Sequence, residues 1–499
     1  MFAEGKRYVG TLTAALMMLL GVFALPASVS AVTVSLNDEI TTDNGSTEIL
    51  GGGEYFFVRF GDDAVFGIVW GNETNPNNVY FVSVVARHLA YAHVYDEDGE
   101  VVEKNHAVKV YTMYAVKLDG MIEFNDTNDN GLLPYLRSYN EEQQVFTDYT
   151  RLGPEPIYKK VDLNTSWNAS TIEYGETDDA KTWSFSLNAS NLPYKLLENA
   201  SVHEVGDNVL NEFELTFHLE ARAMQMDNAS MPQWRVTVTR GPLGNPWFML
   251  DNVEKLEDMQ VNGDVVAYHV KWDKAIEGWD FDPANGNPML LMEFETMIGN
   301  SIPAGLFTWM HMLQYERMIA QMNEFGSMEC ETTDGDVAVN ETTGALLAPK
   351  ALATPKLKFG GDHSKIGKLE WVSNVTVDGL QAQVQAQLMA GHRVTAVAMV
   401  HGDPTVFTGF VALQAMTFPG GEMIVHDPTY SVEALVDVSV QDKPAFPLLM
   451  ALVIGAIIVI VAVAALATMR GKPGSKAPQT YEKNANQRQG DWSKYYSKK

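Results

Sequence analysis

Apolar and polar residues alternate along much of this chain with a period of two. The run Phe213-Glu214-Leu215-Thr216-Phe217-His218-Leu219 is the clearest case. Similar stretches rich in β-branched and aromatic residues occur at Tyr55 to Phe60, Val79 to Ala86, Val108 to Leu118, Thr182 to Leu187, Glu212 to Leu219, Trp234 to Thr239, Val265 to Trp272 and Met289 to Thr296. Successive side chains of a strand point to opposite faces, so this period predicts strands with one face turned to a core. Asp98-Gly99, Asp119-Gly120, Asn262-Gly263, Asp378-Gly379 and Ala390-Gly391 separate them and predict turns. The expected class is all-β, an antiparallel β-sandwich, because each sheet has an apolar face that needs a partner. No repeat of fixed period points to a solenoid or propeller.

From Pro303 to Phe325 the period changes. Apolar residues fall at Leu306, Met310, Leu313, Met318 and Met322, with Pro303 suited to a first turn and Gly326 to a C-terminal cap; this spacing predicts one helix over 303–325.

Two longer runs without charge lie near the ends. Lys6 and Arg7 precede an uncharged run from Tyr8 to Leu25, and Val29-Ser30-Ala31 offers small residues for cleavage, which predicts a signal peptide over 1–31. Pro444 to Met469 carries no charge and predicts a single transmembrane helix, since about 20 apolar residues cross a bilayer. Arg470 to Lys499 holds eight Lys/Arg against two Asp/Glu, so the tail at 470–499 is expected in the cytoplasm and Val32 to Lys443 outside the cell membrane. Glu341 to Gly361, with prolines and little alternation, is the expected linker between a large β-rich segment over 32–340 and a smaller one over 362–443, with a further boundary near 153–157.

Composition sharpens this picture. Between Val32 and Lys443 there are 25 Lys/Arg against 60 Asp/Glu, a balance that argues against nucleic acid as a partner and favours cations. The sole cysteine is Cys330, so no intrachain disulfide forms and stability rests on the core. Ten Asn-x-Ser/Thr sequons occur, at Asn44, Asn72, Asn125, Asn164, Asn168, Asn188, Asn199, Asn228, Asn340 and Asn374. All lie on the expected outer side, which predicts a glycosylated surface.

The sharpest chemical motif is Asp126-Thr-Asn128-Asp-Asn130-Gly131. It matches the first half of a calcium loop, in which alternate side-chain oxygens converge on one cation and glycine permits the turn. Asp126, Asn128 and Asn130 are therefore candidate calcium ligands. The twelfth loop position is Arg137 where a bidentate Glu belongs, so a distant acid such as Glu141 or Glu142 would have to complete the site; a solvated polar turn is the competing reading. Asp280, Asp282, Asn285 and Asn287 offer a second oxygen-rich loop, and Asp96-Glu97-Asp98-Gly99 reads as a charged hairpin tip. The histidines at 363, 392, 401 and 426 have no metal-ligand spacing, and Met310-His311-Met312 fits core packing as well as copper(I). No nucleophile elbow, phosphate loop or dinucleotide fingerprint is present, and Glu329 and Glu331 beside Cys330 blunt its reactivity.

This architecture, together with the phrases Ile276-Glu-Gly-Trp-Asp-Phe-Asp-Pro283 and Phe418-Pro-Gly-Gly-Glu-Met-Ile-Val-His-Asp-Pro428, resembles uncharacterised archaeal membrane-anchored proteins of the cell envelope. The resemblance implies a location and an architecture, with no catalytic residues. The expected function is a single-pass cell-surface protein with a structural, adhesive or binding role, held in the lipid bilayer through 444–469 and facing other envelope proteins or cations. Two rivals stay open: an anchored extracellular hydrolase or metal-dependent enzyme, and a solute-binding receptor whose cleft is lined by Trp247, Trp272 and Trp279.

Overall fold

The computed structural model describes residues 36–47, 51–61, 63–96, 98–140, 145–177, 179–198, 201–231, 233–240, 248–303, 328–332, 335–338, 350–359, 367–400 and 403–438. Beyond a 3-10 turn at Leu36–Glu39, these residues form strands and their connections. In chain order they are β1 (Ile40–Thr47), β2 (Gly53–Phe60), β3 (Ala64–Trp70), β4 (Tyr80–Tyr95), β5 (Val101–Asn125), β6 (Tyr135–Asn140), β7 (Val145–Arg151), β8 (Ile157–Asp162) and β9 (Asn168–Ala169). Then follow β10 (Glu173–Glu176), β11 (Lys181–Glu198), β12 (Ser201–Met231), β13 (Gln233–Arg240), β14 (Phe248–Lys255), β15 (Met259–Glu277), β16 (Pro288–Pro303), β17 (Met328–Thr332) and β18 (Gly335–Ala338). The last are β19 (Lys350–Ala351), β20 (Lys356–Phe359), β21 (Gly367–Trp371), β22 (Asn374–Val377), β23 (Leu380–Gln383), β24 (Gln385–Val400), β25 (Asp403–Pro419), β26 (Met423–His426) and β27 (Pro428–Val438). The expected all-β, mostly antiparallel class is what these residues adopt.

The hydrogen-bonded ladder has two long arms. One runs β1-β2-β3-β4-β5-β16-β25-β24-β19. The other runs β10-β11-β12-β15-β27-β21-β20-β17-β18. Strand β8 joins them by pairing with both β5 and β11. All pairings among the described residues are antiparallel except β13 on β4.

The arms face each other across an aromatic core. Phe81 of β4 lies 4.5 Å from Trp272 of β15 and 5.6 Å from Phe217 of β12, and Phe66 of β3 stacks on Tyr268 of β15 at 5.8 Å. Phe56 of β2 meets Phe185 of β11 edge-on at 5.7 Å. These offset and edge contacts are the favoured geometries for rings, and each adds about 0.5–1.5 kcal/mol beyond area burial. On β12 the expected alternation holds: Phe213, Leu215, Phe217 and Leu219 are buried while Glu214, Thr216 and His218 are not.

Strand β16 departs from alternation because both of its faces are covered. Leu290, Met292, Phe294 and Ile298 join the core between the arms, while Met289, Leu291 and Met297 join a second apolar cluster with Val82, Val84, Leu133 and Leu413 on the opposite face. Three of the turn dipeptides expected from sequence do not turn. Asp119-Gly120 lies inside β5, where the register with β16 slips by one residue, Ala390-Gly391 lies inside β24 beside a similar slip, and Asn262-Gly263 lies inside β15. Turn-forming residues also accommodate bulges, in which one extra residue is inserted without reversing the strand. Asp378-Gly379 and Asp98-Gly99 do close hairpins, with φ of 50° and 81° in the first and +78° at Gly99.

The helix expected over 303–325 lies, apart from Pro303 at the end of β16, outside the described residues, as do the signal peptide and the span at 444–469. No helix among the described residues is long and apolar enough to cross a membrane. Within the expected linker, Lys350–Ala351 pairs with β24, Lys356–Phe359 pairs with β17 and β21, and Leu357 is fully buried in the core between the arms.

Candidate cation site and buried polar network

Three loops meet at one end of β5. Asp126, just past β5, donates its backbone N–H to the carbonyl of Asn287 at 3.1 Å, and the Asn287 side-chain amide donates to the carbonyl of Asp126 and to Asp129 Oδ1, both at 2.8 Å. The two oxygen-rich loops that look separate in sequence, 126–131 and 280–287, are therefore one structure. The third loop brings Glu155, which is wholly buried and accepts hydrogen bonds on Oε1 from the Asn128 amide at 2.6 Å and the Thr127 hydroxyl at 3.3 Å.

Inside the 126–131 loop Asp126 is buried while Asn128 and Asn130 are exposed, and their side-chain oxygens accept bonds from the turn's own backbone. Asp126, 3% exposed, accepts from the backbone N–H of Asn130 at 3.2 Å and of Gly131 at 2.7 Å. Asn128 Oδ1 accepts from Asn130 N–H at 3.1 Å, and Asn130 Oδ1 from Leu132 N–H at 2.8 Å. Gly131 has φ of +69°, and a Cβ there would stand 2.6 Å from Gln385 Cγ, so this position accepts only glycine. Asp126, Asn128 and Asn130 thus each accept hydrogen bonds from backbone N–H groups of the same turn. Arg137, the twelfth position, turns away to pair with Glu293 at 3.1 Å; Glu141 and Glu142 lie outside the described residues. Glu155 is the acid that the sequence reading missed. Its setting in Gly153-Pro154-Glu155-Pro156 reads as a boundary, and nothing local marks the carboxylate as buried.

The 280–287 loop is anchored by another buried acid. Glu123 of β5 accepts from Trp279 Nε1 at 3.0 Å, from the backbone N–H of Asp282 at 2.8 Å and from the Asn285 amide at 3.1 Å. Asp282 Oδ1 accepts from Ala284 N–H, and Asp280 pairs with Lys159 at 3.6 Å. These bonds hold the loop against β5, β8 and β12.

A row of buried and half-buried ion pairs crosses β6, β16, β5, β8 and β11. Glu295 pairs with Lys117 at 3.3 Å and Lys117 with Asp119 at 2.7 Å; Glu293 pairs with Arg137 and with Lys160 at 3.5 Å; Lys160 and Lys195 both hold Asp162, at 3.2 and 2.7 Å. Burial alone would raise Asp119, but Lys117 and Lys160 overcome it and hold its carboxyl far below the usual range; Asp162 is lowered by Lys160 and Lys195 in the same way. Four acids and four bases stand in the row, so the strands carry charge through the apolar cluster without a net deficit.

The receptor reading placed Trp247, Trp272 and Trp279 in a cleft. Trp247 lies outside the described residues, Trp272 is fully buried against Phe81, and Trp279 is bonded to Glu123. A cleft of ≈ 540 Å³ does open elsewhere, between the edge strand β1 and the β9 to β10 connection, lined by Asn44, Glu54, Tyr55, Trp70 and Ser170. Of the loose histidine set, His426 is buried with Nε2 2.8 Å from the Val372 carbonyl, and His363 and His401 lie outside the described residues. Among the described residues, no three His, Cys, Asp or Glu side chains converge to hold a metal; the 126–131 loop offers amide oxygens, which such a grouping does not count.

No family model and no curated protein matches this chain.

Proposed function

We propose that this is an exported, single-pass cell-surface protein of the archaeal envelope type that its sequence resembles. Its two face-packed arms would form a glycosylated, acidic antiparallel β-sandwich with a structural, adhesive or binding role, anchored through 444–469 with the basic tail in the cytoplasm. One observation carries the reading. Of the eight sequon asparagines among the described residues, Asn44, Asn164, Asn168, Asn228 and Asn374 are exposed and Asn72, Asn125 and Asn188 half-buried, whereas the buried asparagines Asn37, Asn77, Asn78 and Asn285 all lack the sequon. A glycan needs its asparagine at the surface, and among the described residues no sequon falls on a buried asparagine. The buried acids support the non-catalytic side of the reading, because those of the ionic row and Glu123 are committed to neighbouring strands and loops.

The test is the intact mass of protein purified from its native host. A ladder above the mass of the chain from Val32 onward, collapsing on combined Asn→Gln substitution at the five exposed sites, is expected. A bare polypeptide mass, or labelling of Val32 to Lys443 only after cells are broken, overturns the proposal.

A further inference from the structure

We propose that Asp126, Asn128, Asn130 and Glu155 form a calcium site, in which Glu155 supplies the closing carboxylate that the loop's own twelfth residue lacks. This extends the surface reading by naming a ligand; the site itself does not depend on glycans or on the anchor.

The first observation is the loop. Calcium takes six to eight oxygens at about 2.3–2.6 Å, and a D-x-N-x-N-G turn presents three side-chain oxygens on one side. The hydrogen bonds from Asn130 and Gly131 N–H to Asp126 fix the carboxylate at the loop's mouth and leave it further lone pairs. The backbone carbonyl of Leu132 occupies the seventh position, which contributes a main-chain oxygen in such loops.

The second observation is Glu155 and is independent of the loop's spacing. Its side chain is 0% exposed, Oε2 has no hydrogen-bond partner, and no basic side chain among the described residues lies within ion-pair distance. An ionised carboxylate taken out of water without a cation costs several kcal/mol, so buried charges are ordinarily paired or bound to metal. Every other strongly buried acid nearby is answered: Glu293 by Arg137 and Lys160, Glu295 by Lys117, and Glu123 by Trp279, Asn285 and Lys159. Glu155 instead points its Oε1 at the loop, where it accepts a hydrogen bond from Asn128 Nδ2 at 2.6 Å. Two carboxylates, Asp126 and Glu155, balance one divalent ion. The plainer alternative is that Glu155 only ties Thr127 and Asn128 in place. It accounts for Oε1 and leaves Oε2 unexplained.

The test is calorimetric titration of the full-length protein with calcium chloride after chelation, run beside its melting temperature in the same buffers. The expected result is one calcium site standing above the weak binding of an acidic surface, with a higher melting temperature in calcium than in chelator. Glu155→Gln should weaken that site at least tenfold and remove the melting shift. Asn130 is exposed, so Asn130→Ala keeps the fold and should weaken binding several-fold, with no more than a small drop of its melting temperature in chelator from the lost Leu132 N–H bond. Glu173→Gln, an exposed acid on β10, should bind as wild type. Equal affinity in wild type and Glu155→Gln, or an equal loss in Glu173→Gln, overturns the site. Neither outcome bears on the glycan ladder, so the two proposals fail separately.

Discussion

Replacing Lys274 with methionine should stabilise this protein. Lys274 occupies an inward position of β15, in line with Val266, Tyr268, Val270 and Trp272, and is 0% exposed. Among the described residues, its ammonium faces no carboxylate within ion-pair distance. It lies 3.7 Å from Met416 Sδ, 4.8 Å from the centre of the Phe418 ring and 5.2 Å from that of Phe294, with His426 opposite it in register on β26. Burial drives its pKa down from 10.5 to about 7, against a partial pull upward from Asp427. That fall, at about 1.36 kcal/mol per tenfold change in proton affinity, sets a ceiling of ~5 kcal/mol on the cost of carrying the charge. Attraction to the two rings returns up to about 2 kcal/mol, leaving a net penalty of ~3 kcal/mol. The folded state binds fewer protons than the unfolded state between pH 7 and 10.5, so stability rises with pH across that window, and the penalty is complete below pH 7. Methionine keeps the stem's volume without the charge. Denaturant midpoints of full-length wild type and Lys274→Met, taken from pH 6 to 10, should show the variant ahead by the largest margin at the acid end, with the curves converging toward pH 10. A variant less stable than wild type at pH 7, or a margin independent of pH, would refute the reasoning.

Glu293→Gln should cost about 3–5 kcal/mol, because Arg137 and Lys160 would be left buried beside a neutral partner; the measure is the denaturant midpoint, and a loss under 1 kcal/mol would mean the row contributes little. Burial, with Lys274 nearby and against the Val372 hydrogen bond, lowers the pKa of His426 from 6.5 to about 3. The unfolded chain then takes up the proton first, so stability falls as pH drops from about 6.5 toward 3. His426→Phe should flatten that part of the pH profile, and an unchanged acid slope would show that other groups control it.

The strand character of this chain is plain in its sequence because burial on one face leaves a period-two trace, as on β12. Strand β16 was also recognisable, from the strand-like run Met289 to Thr296, but its two-sided burial was not. The clue is that Glu293 and Glu295 interrupt an otherwise apolar stretch, which a buried strand tolerates only when bases from other strands reach them. Those bases, Lys117, Lys160 and Arg137, come from distant segments, so no local pattern announces them. Asp119-Gly120 and Asn262-Gly263 misled for a related reason: their backbone preferences suit reversal and bulging equally, and only pairing with neighbours on both sides decides. At the candidate cation site, the spacing of Asp126, Asn128 and Asn130 was legible because those residues lie within one turn. Glu155 and Asn287 arrive through tertiary packing and were not.

The placement of β27 bears on how the molecule would carry mechanical load. It is the last described strand, and it is flanked by β15 on one side and β21 on the other. A tug along it from its C-terminal end therefore pulls on two ladders in shear, where many bonds must yield together, rather than peeling them one at a time. Strand β15 passes the force on to β12, the 31-residue strand, through pairing that extends from Glu212 to Met231. Tension entering at the C-terminal end of β27 would thus spread across much of the second arm before any single pair gave way.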